Sequence, residues 1–226
     1  AGNQSVMASE TVTLDNEGPA APVITGYSDD TGVTGDGLTN DTTLTLTGTA
    51  EANAEVSIYD DNGTTLLGTV TADDNGDWSF TTDELDEGLH LFVARTADEA
   101  GNLSGASSRL NVSIDTTPPG ITITTPIAGD DIVNGSEDSS LSISGTSAGG
   151  QRVYVTVTDE AGASVDGVAA VDGAGNWTLN GLDVSGLENG ELTVEAYAVD
   201  QAGNQSVMAS ETVTLDNEGP AAPVIT

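Results

Sequence analysis

The amino-acid sequence predicts an all-β chain folded as two tandem β-sandwiches arranged end to end, and three observations carry that reading. First, one joint recurs: the loop Asp98-Glu99-Ala100-Gly101-Asn102, a strand ending Leu110–Ile114 and the linker Asp115-Thr116-Thr117-Pro118-Pro119 return as Asp200-Gln201-Ala202-Gly203-Asn204, a strand ending Val213-Thr214-Leu215 and Asp216-Asn217-Glu218-Gly219-Pro220. Second, residues 1–25 are identical to residues 202–226, an offset of 201, and the spacing Trp78 to Trp177 (99) or Asp115 to Asp216 (101) halves that period. A chain of 226 residues has room for two domains of about 100 residues each. Third, apolar residues recur at every second position in short runs punctuated by Gly, Asp and Asn, and no helical period competes with them.

In chain order, residues 1–15 carry the last strand of a truncated repeat, which is expected to be poorly ordered unless another sheet edge is supplied. Residues 16–117 form repeat one. Leu44 and Leu46, Val56 and Ile58, Trp78 and Phe80, then Leu110, Val112 and Ile114 each fall on one strand face. Asn75-Gly76 signals a hairpin turn ahead of Trp78. Residues 118–217 form repeat two, where Leu141 and Ile143, Val153 to Val157, Trp177 and Leu179, and Val213 and Leu215 answer the first set. Residues 218–226 begin the next repeat. About seven strands per 100 residues around a buried Trp is the arithmetic of an immunoglobulin-like sandwich, here without its disulfide. Pro118 and Pro119 lack amide donors, so they stop one sheet and stiffen the passage to the next.

Composition narrows the function. Thirty-seven acids against three basic residues give a net charge of −34, which argues against nucleic acid and anionic membrane as partners and for cations. The acids divide into 23 Asp and 14 Glu, and Asp favours loops. There is no Cys, hence no disulfide, thiolate ligand or thiol nucleophile. No stretch approaches the roughly 18 apolar residues of a membrane helix, and no membrane insertion is expected.

The acids cluster where a sandwich places its loops. Read from spacing, Asp98, Asn102 and Asp115 stand on the trailing side of module one, facing Asp130, Asp131, Asn134, Glu137 and Asp138 on the leading side of module two. Asp29, Asp30, Asp36, Asn40 and Asp41 lead module one opposite Asp15, and Asp200, Asn204 and Asp216 trail module two. Convergent carboxylates repel unless a cation lies between them. Calcium takes roughly six to eight oxygens, whereas zinc wants His or Cys. The metal candidates are therefore Asp15, Asp29, Asp30, Asp36, Asp98, Asn102, Asp115, Asp130, Asp131, Asn134, Glu137, Asp200 and Asp216, with Ca²⁺ as the ion.

The motifs Gly35-Asp36-Gly37-Leu38-Thr39-Asn40-Asp41, Leu46-Thr47-Gly48-Thr49-Ala50-Glu51, Asn75-Gly76-Asp77-Trp78-Ser79-Phe80, the Asp98–Asn102 loop and Ile114-Asp115-Thr116-Thr117-Pro118 together resemble the immunoglobulin-like repeats of giant bacterial surface adhesins exported by type I secretion, including biofilm-associated proteins of the RTX type. Repeat two, through Asp130-Asp131-Ile132-Val133-Asn134-Gly135-Ser136-Glu137, is similar to the extender repeats of a large ice-binding adhesin. The resemblance implies calcium at the joints, a spacer role outside the cell at the bacterial surface, neighbouring repeats of the same chain as partners, and a monomeric rod. Asn217-Glu218-Gly219 departs from the usual linker, which weakens the carry-over at Asp216.

Other motifs are set aside. Asp73 to Glu84 has EF-hand spacing, but Trp78 stands where that loop needs Gly. His90, the sole histidine, alternates with Phe92 and Ala94 and is expected to face the core, which leaves no Ser-His-Asp chemistry and no enzyme. The alternative function is a glycan- or protein-binding adhesion module, for which Tyr27 is the one plausible exposed aromatic.

Overall fold

The computed structural model describes residues 10–12, 14–61, 63–98 and 100–219; the copied strand at residues 1–14 falls mostly outside them. Among the described residues the chain is all-β apart from one 3₁₀ turn, Ile127–Gly129, as the alternation predicts. The chain divides into two compact units: Ala1–Asp29 with Thr42–Val112, and Asp30–Asp41 with Ser113–Thr226.

The first sandwich is built from β1 (Val23–Ser28), β2 (Leu38–Thr39), β3 (Thr45–Thr49), β4 (Glu55–Asp60), β5 (Thr65–Thr71), β6 (Asp77–Thr81), β7 (Gly88–Ala97) and β8 (Leu110–Ile114). One sheet has the order β1-β3-β6 and the other β2-β8-β7-β4-β5. β3 pairs antiparallel with both β1 and β6, and β2 is parallel to β8 through Leu38↔Ser113 and Thr39↔Ile114. Period-2 burial fills the space between the sheets. Leu44, Leu46, Val56, Ile58, Phe92, Ala94 and Val112 are wholly buried, and Trp78 packs with them. Gly76 turns the hairpin into β6 at φ +88°, where a Cβ would lie 2.3 Å from the Ala50 carbonyl, so glycine is required twice over.

The second sandwich repeats the plan with β9 (Thr122–Ile123), β10 (Ile132–Asn134), β11 (Leu141–Thr146), β12 (Arg152–Thr158), β13 (Ser164–Ala170), β14 (Asn176–Leu182), β15 (Gly190–Val199) and β16 (Ala209–Asp216). Its sheets are β14-β11-β9 and β10-β16-β15-β12-β13. The core is Val133, Leu141, Ile143, Val153, Val155, Val157, Leu192, Val194, Val213 and Leu215 around Trp177, whose indole Nε1 donates to the Thr122 carbonyl at 3.2 Å.

The strand directions position the loops. β10 runs parallel to β16, so the loop after β10 lies beside Asp216. β15 runs antiparallel to β16, so the loop after β15 lies at the opposite end of the same sandwich.

Candidate functional site

The loop after β15 is held by its own side chains. Asp200 Oδ1 accepts the Asn204 amide at 2.8 Å and Oδ2 accepts Asn204 Nδ2 at 2.9 Å, with both residues buried. An isolated bridge from Val199 to Gln205 closes its base. The same Asn204 Nδ2 reaches the Asp115 carbonyl at 2.7 Å. The first sandwich repeats the device. Asp98 accepts Asn102 N and Nδ2, both at 2.8 Å, and Asn102 Nδ2 donates to the Asp15 carbonyl at 3.2 Å. Hydrogen bonding to Asn102 leads in holding the Asp98 carboxyl below its usual range, against a smaller opposing effect of burial.

Within the second unit, the segment Asp30–Asp41 lies on the loop after β15. Val33 N donates to the Gln201 carbonyl at 3.1 Å, Thr31 Oγ1 to the Ala202 carbonyl at 2.7 Å, and Gln201 Nε2 to Asp36 Oδ2 at 2.7 Å. Gly32, at φ +67°, makes this approach possible, since a Cβ there would lie 2.1 Å from the Gln201 carbonyl oxygen. Asp115 N in turn donates to the Thr39 carbonyl at 2.9 Å. Asp30, Asp36, Asp115, Asp200 and Asn204 thus share one neighbourhood.

This grouping corrects the pairing read from spacing. Asp98 and Asn102 adjoin Asp15, not Asp115, and Asp115 adjoins Asn204. The loop carrying Asp130 to Asp138 belongs beside Asp216 and Asn217: Asn134 is in register with Asp216, Asn217 Nδ2 donates to Asp138 Oδ2 at 3.1 Å, and Thr214 N to the Asp131 carbonyl at 3.0 Å. The reason is the parallel pairing of β2 with β8 and of β10 with β16, which hydrophobic alternation does not reveal.

The carboxylates around β10 are committed locally. Asp131 Oδ1 accepts Ile127 N at 2.7 Å, Asp130 Oδ1 accepts Ile132 N at 3.1 Å, and Glu137 Oε2 accepts Asn134 Nδ2 at 2.5 Å. Asp29 follows β1 and is exposed. Among the described residues, no group of three or more Asp, Glu or His converges as a ready metal centre. The donor chemistry of the Asp115 and Asp200 neighbourhood is all oxygen, from carboxylate, amide and backbone carbonyl, which suits calcium and not zinc.

Several functional expectations move. Tyr27 lies in β1 and packs against the first core, so it is no exposed platform. A stacked aromatic pair is formed by Tyr154 and Tyr197, half-buried cross-strand neighbours on β12 and β15 whose ring centroids lie 5.0 Å apart. His90 does lie on the side of Phe92 and Ala94, half-buried, and it holds Asp60, an interaction 30 residues apart that carries no local sequence signal. Asp73 caps the turn into β6 by accepting Asn75 N and Asp77 N, which accounts for the EF-hand-like spacing.

Two Greek-key sandwiches in tandem, each closed by an Asp-x-x-x-Asn loop against its own linker, define an immunoglobulin-like repeat protein. The chain belongs to the bacterial Ig-like domain family, whose model matches residues 19–116 and 124–217. Among curated proteins none matches. Among solved structures, a tetra-tandem repeat from the extending region of a large adhesion protein is 28% identical, with a TM-score of 0.42 over 88% of this chain and 50% of its own. A Ca²⁺-stabilised adhesin that helps an Antarctic bacterium reach out and bind ice is 26% identical, with a TM-score of 0.49 over 89% of this chain and 50% of its own. The fibronectin(III)-like modules of Clostridium thermocellum CbhA share the fold at a TM-score of 0.51 and 17% identity, over 88% of this chain and all of theirs. The chain spans about half the length of the first two. Among the described residues, no helix is long and apolar enough to cross a membrane.

Proposed function

We propose that the chain is a pair of spacer modules from a bacterial cell-surface adhesin, stiffened outside the cell by calcium. The observation that carries this reading is the oxygen-rich neighbourhood in which the loop Asp200–Asn204 interlocks with the linker residue Asp115 and with Asp36. Asp36, Asp115, Asp200 and Asn204 would hold the ion, with Asp15, Asp98 and Asn102 forming the equivalent set in repeat one. Calcium supplies charge neutralisation, not catalysis, in a chain of net charge −34. The role is structural, with neighbouring repeats of the same chain as partners.

An ion that binds the folded loops and not the unfolded chain stabilises the fold by RT ln(1 + [L]/Kd). At an extracellular-module Kd of about 10⁻⁴–10⁻³ M, 10 mM calcium contributes about 1.4–2.7 kcal/mol per site. That corresponds to a rise in Tm of roughly 5–15 °C for a domain of about 100 residues. Differential scanning calorimetry in calcium and in chelator reads this directly. A rise that disappears in Asp115→Ala and Asp200→Ala supports the site; equal curves with and without calcium reject it.

The second reading, a ligand-binding adhesion module, has the Tyr154–Tyr197 stack in its favour. Aromatic faces bordered by Arg152 are suited to sugar rings. A glycan array on which wild type and Tyr154→Ala give the same blank pattern would dismiss it.

A further inference from the structure

We propose that the first module carries a protonation-dependent clasp, absent from the second, in which the His90 imidazole ties the β4–β5 turn at Asp60 to the β6–β7 loop at Asp86. His90 Nδ1 lies 2.5 Å from Asp60 Oδ2, and Nε2 lies 2.8 Å from the Asp86 carbonyl oxygen. Both partners are acceptors only, since a carboxylate and a backbone carbonyl have no hydrogen to give. A neutral imidazole carries one N–H and so satisfies one of them, leaving a ring lone pair directed at the other. The imidazolium carries two and satisfies both. The arrangement is therefore complete only when His90 is protonated.

The surroundings favour that state. Asp60 is nearly buried, and its other oxygen accepts Leu91 N at 2.8 Å, so the carboxylate is fixed in place to receive the ring. The His90 ring also stacks on Phe92 at 5.8 Å and 11°, which sets its plane. The acids facing it are Asp60 at the end of β4 and Asp61 in the turn, while Asp86, on the loop leading into β7, contributes its carbonyl. Burial pulls the His90 pKa down, but the Asp60 and Asp86 hydrogen bonds and the charges of Asp60 and Asp61 outweigh it, so the net shift is upward from 6.5. For Asp60, burial pushes upward, and the His90 bond with the Asp61 and Leu91 amides outweighs it, so the net shift is downward from 3.8.

The sign follows from linkage. A histidine raised in the folded state contributes stability fully below its unfolded value near 6.5 and loses it as pH rises through the folded value. Asp60 contributes above 3.8 and loses its contribution as pH falls through its lowered value. The clasp is closed between these limits and opens on the alkaline side.

The second module meets the corresponding carboxylate with backbone amides, which do not titrate, in place of an imidazole. Asp159, at the corresponding turn, accepts Ala163 N at 2.8 Å and Glu188 N at 3.0 Å. Gly162 N donates to the Asp159 carbonyl just as Gly63 N donates to that of Asp60, which fixes the equivalence. Module two is thus an internal control within the same chain.

The test uses the whole chain. His90 is the only histidine, so its ring protons give one NMR titration curve. The expected midpoint lies above 6.5 and moves back toward it in Asp60→Asn; a wild-type midpoint at or below 6.5 overturns the proposal. Hydrogen exchange supplies an independent readout that needs no variant at Asp60. Corrected for the intrinsic pH dependence, protection of the Leu91 amide should fall as pH rises through the midpoint, by about tenfold per unit of midpoint shift. Ala163 and Glu188 should not follow, and His90→Gln should abolish the fall at Leu91. Equal pH dependence in wild type and His90→Gln would overturn the clasp.

Discussion

Trp78 in β6 and Trp177 in β14 occupy equivalent places 99 residues apart, yet the two modules seat them differently. Trp177 Nε1 donates to the Thr122 carbonyl, whereas Trp78 Nε1 is buried with no hydrogen-bond partner among the described residues. The strand beside it differs as well, for β1 slips register between Ile24 and Gly26. The Asp-Asn loops differ in the same sense. Asp200 and Asn204 are buried, while their counterparts Asp98 and Asn102 are half-exposed. Tandem copies of one fold thus keep the apolar frame and vary the polar contacts inside it. A buried polar group left unpaired costs about 1–3 kcal/mol, so these variations distinguish otherwise equivalent modules.

The largest effect is expected where the modules agree. A Cβ on Gly48 would lie 2.1 Å from the Val23 carbonyl oxygen and 2.2 Å from the Trp78 ring; on Gly145 it would lie 1.9 Å from the Thr122 carbonyl oxygen and 2.8 Å from the Trp177 ring. Backbone on one side and a buried indole on the other leave no direction for relief. Gly48→Ala and Gly145→Ala should each cost about 3 kcal/mol or more, the upper end for overpacking, in denaturant unfolding of the affected module. A cost below about 1 kcal/mol at either would show that the sheets separate more readily than the packing implies.

The next effect separates the modules. Asp200→Ala strips two acceptors from the buried Asn204, with an expected loss of about 2 kcal/mol from the second module. Asp98→Ala removes the same two bonds where water can replace them, so its effect should be the smaller. Equal losses in calorimetry would mean that burial is not what distinguishes the loops. Trp177→Phe should likewise cost about 1 kcal/mol more than Trp78→Phe, because only the former removes a hydrogen bond. Urea midpoints of the two variants provide the comparison.

The frame of both modules was legible because a strand's faces alternate with period two: Leu44 and Leu46, Val56 and Ile58, and Val153, Val155 and Val157 are all buried as their spacing predicts. Spacing says which face a residue takes but not which end of the sandwich a loop occupies. That depends on strand direction, and here on the short parallel pairs Leu38↔Ser113 and Asn134↔Asp216, which bring together segments about 75 to 82 residues apart. Spacing therefore marks the acid-rich loops as a set without giving the neighbours of each. The Asp60–His90 contact stayed hidden for a related reason, since β4 and β7 become adjacent only in the folded sheet.

The smallest effect concerns acid, where the modules should converge. Backbone amides lead in holding Asp73 in the first module and Asp159 and Asp172 in the second below the ordinary carboxylate pKa of 3.8. For Asp98 the leading cause is the Asn102 side chain, and for Asp183 the Ser185 hydroxyl. A carboxyl whose pKa is depressed on folding stabilises the fold fully above its unfolded value and loses that contribution as pH falls through its folded value. Both modules should therefore hold a level Tm down to about pH 4 on this account and lose stability together below it. The screening of exposed carboxylates keeps each step small. Asp172→Asn should flatten the acid limb of the second module alone, because the amide keeps an acceptor for the Ala174 and Asn176 amides but does not titrate. An unchanged acid limb in that variant would place the acid sensitivity of the second module in its other lowered carboxyls, Asp159 and Asp183, rather than in the Asp172 turn.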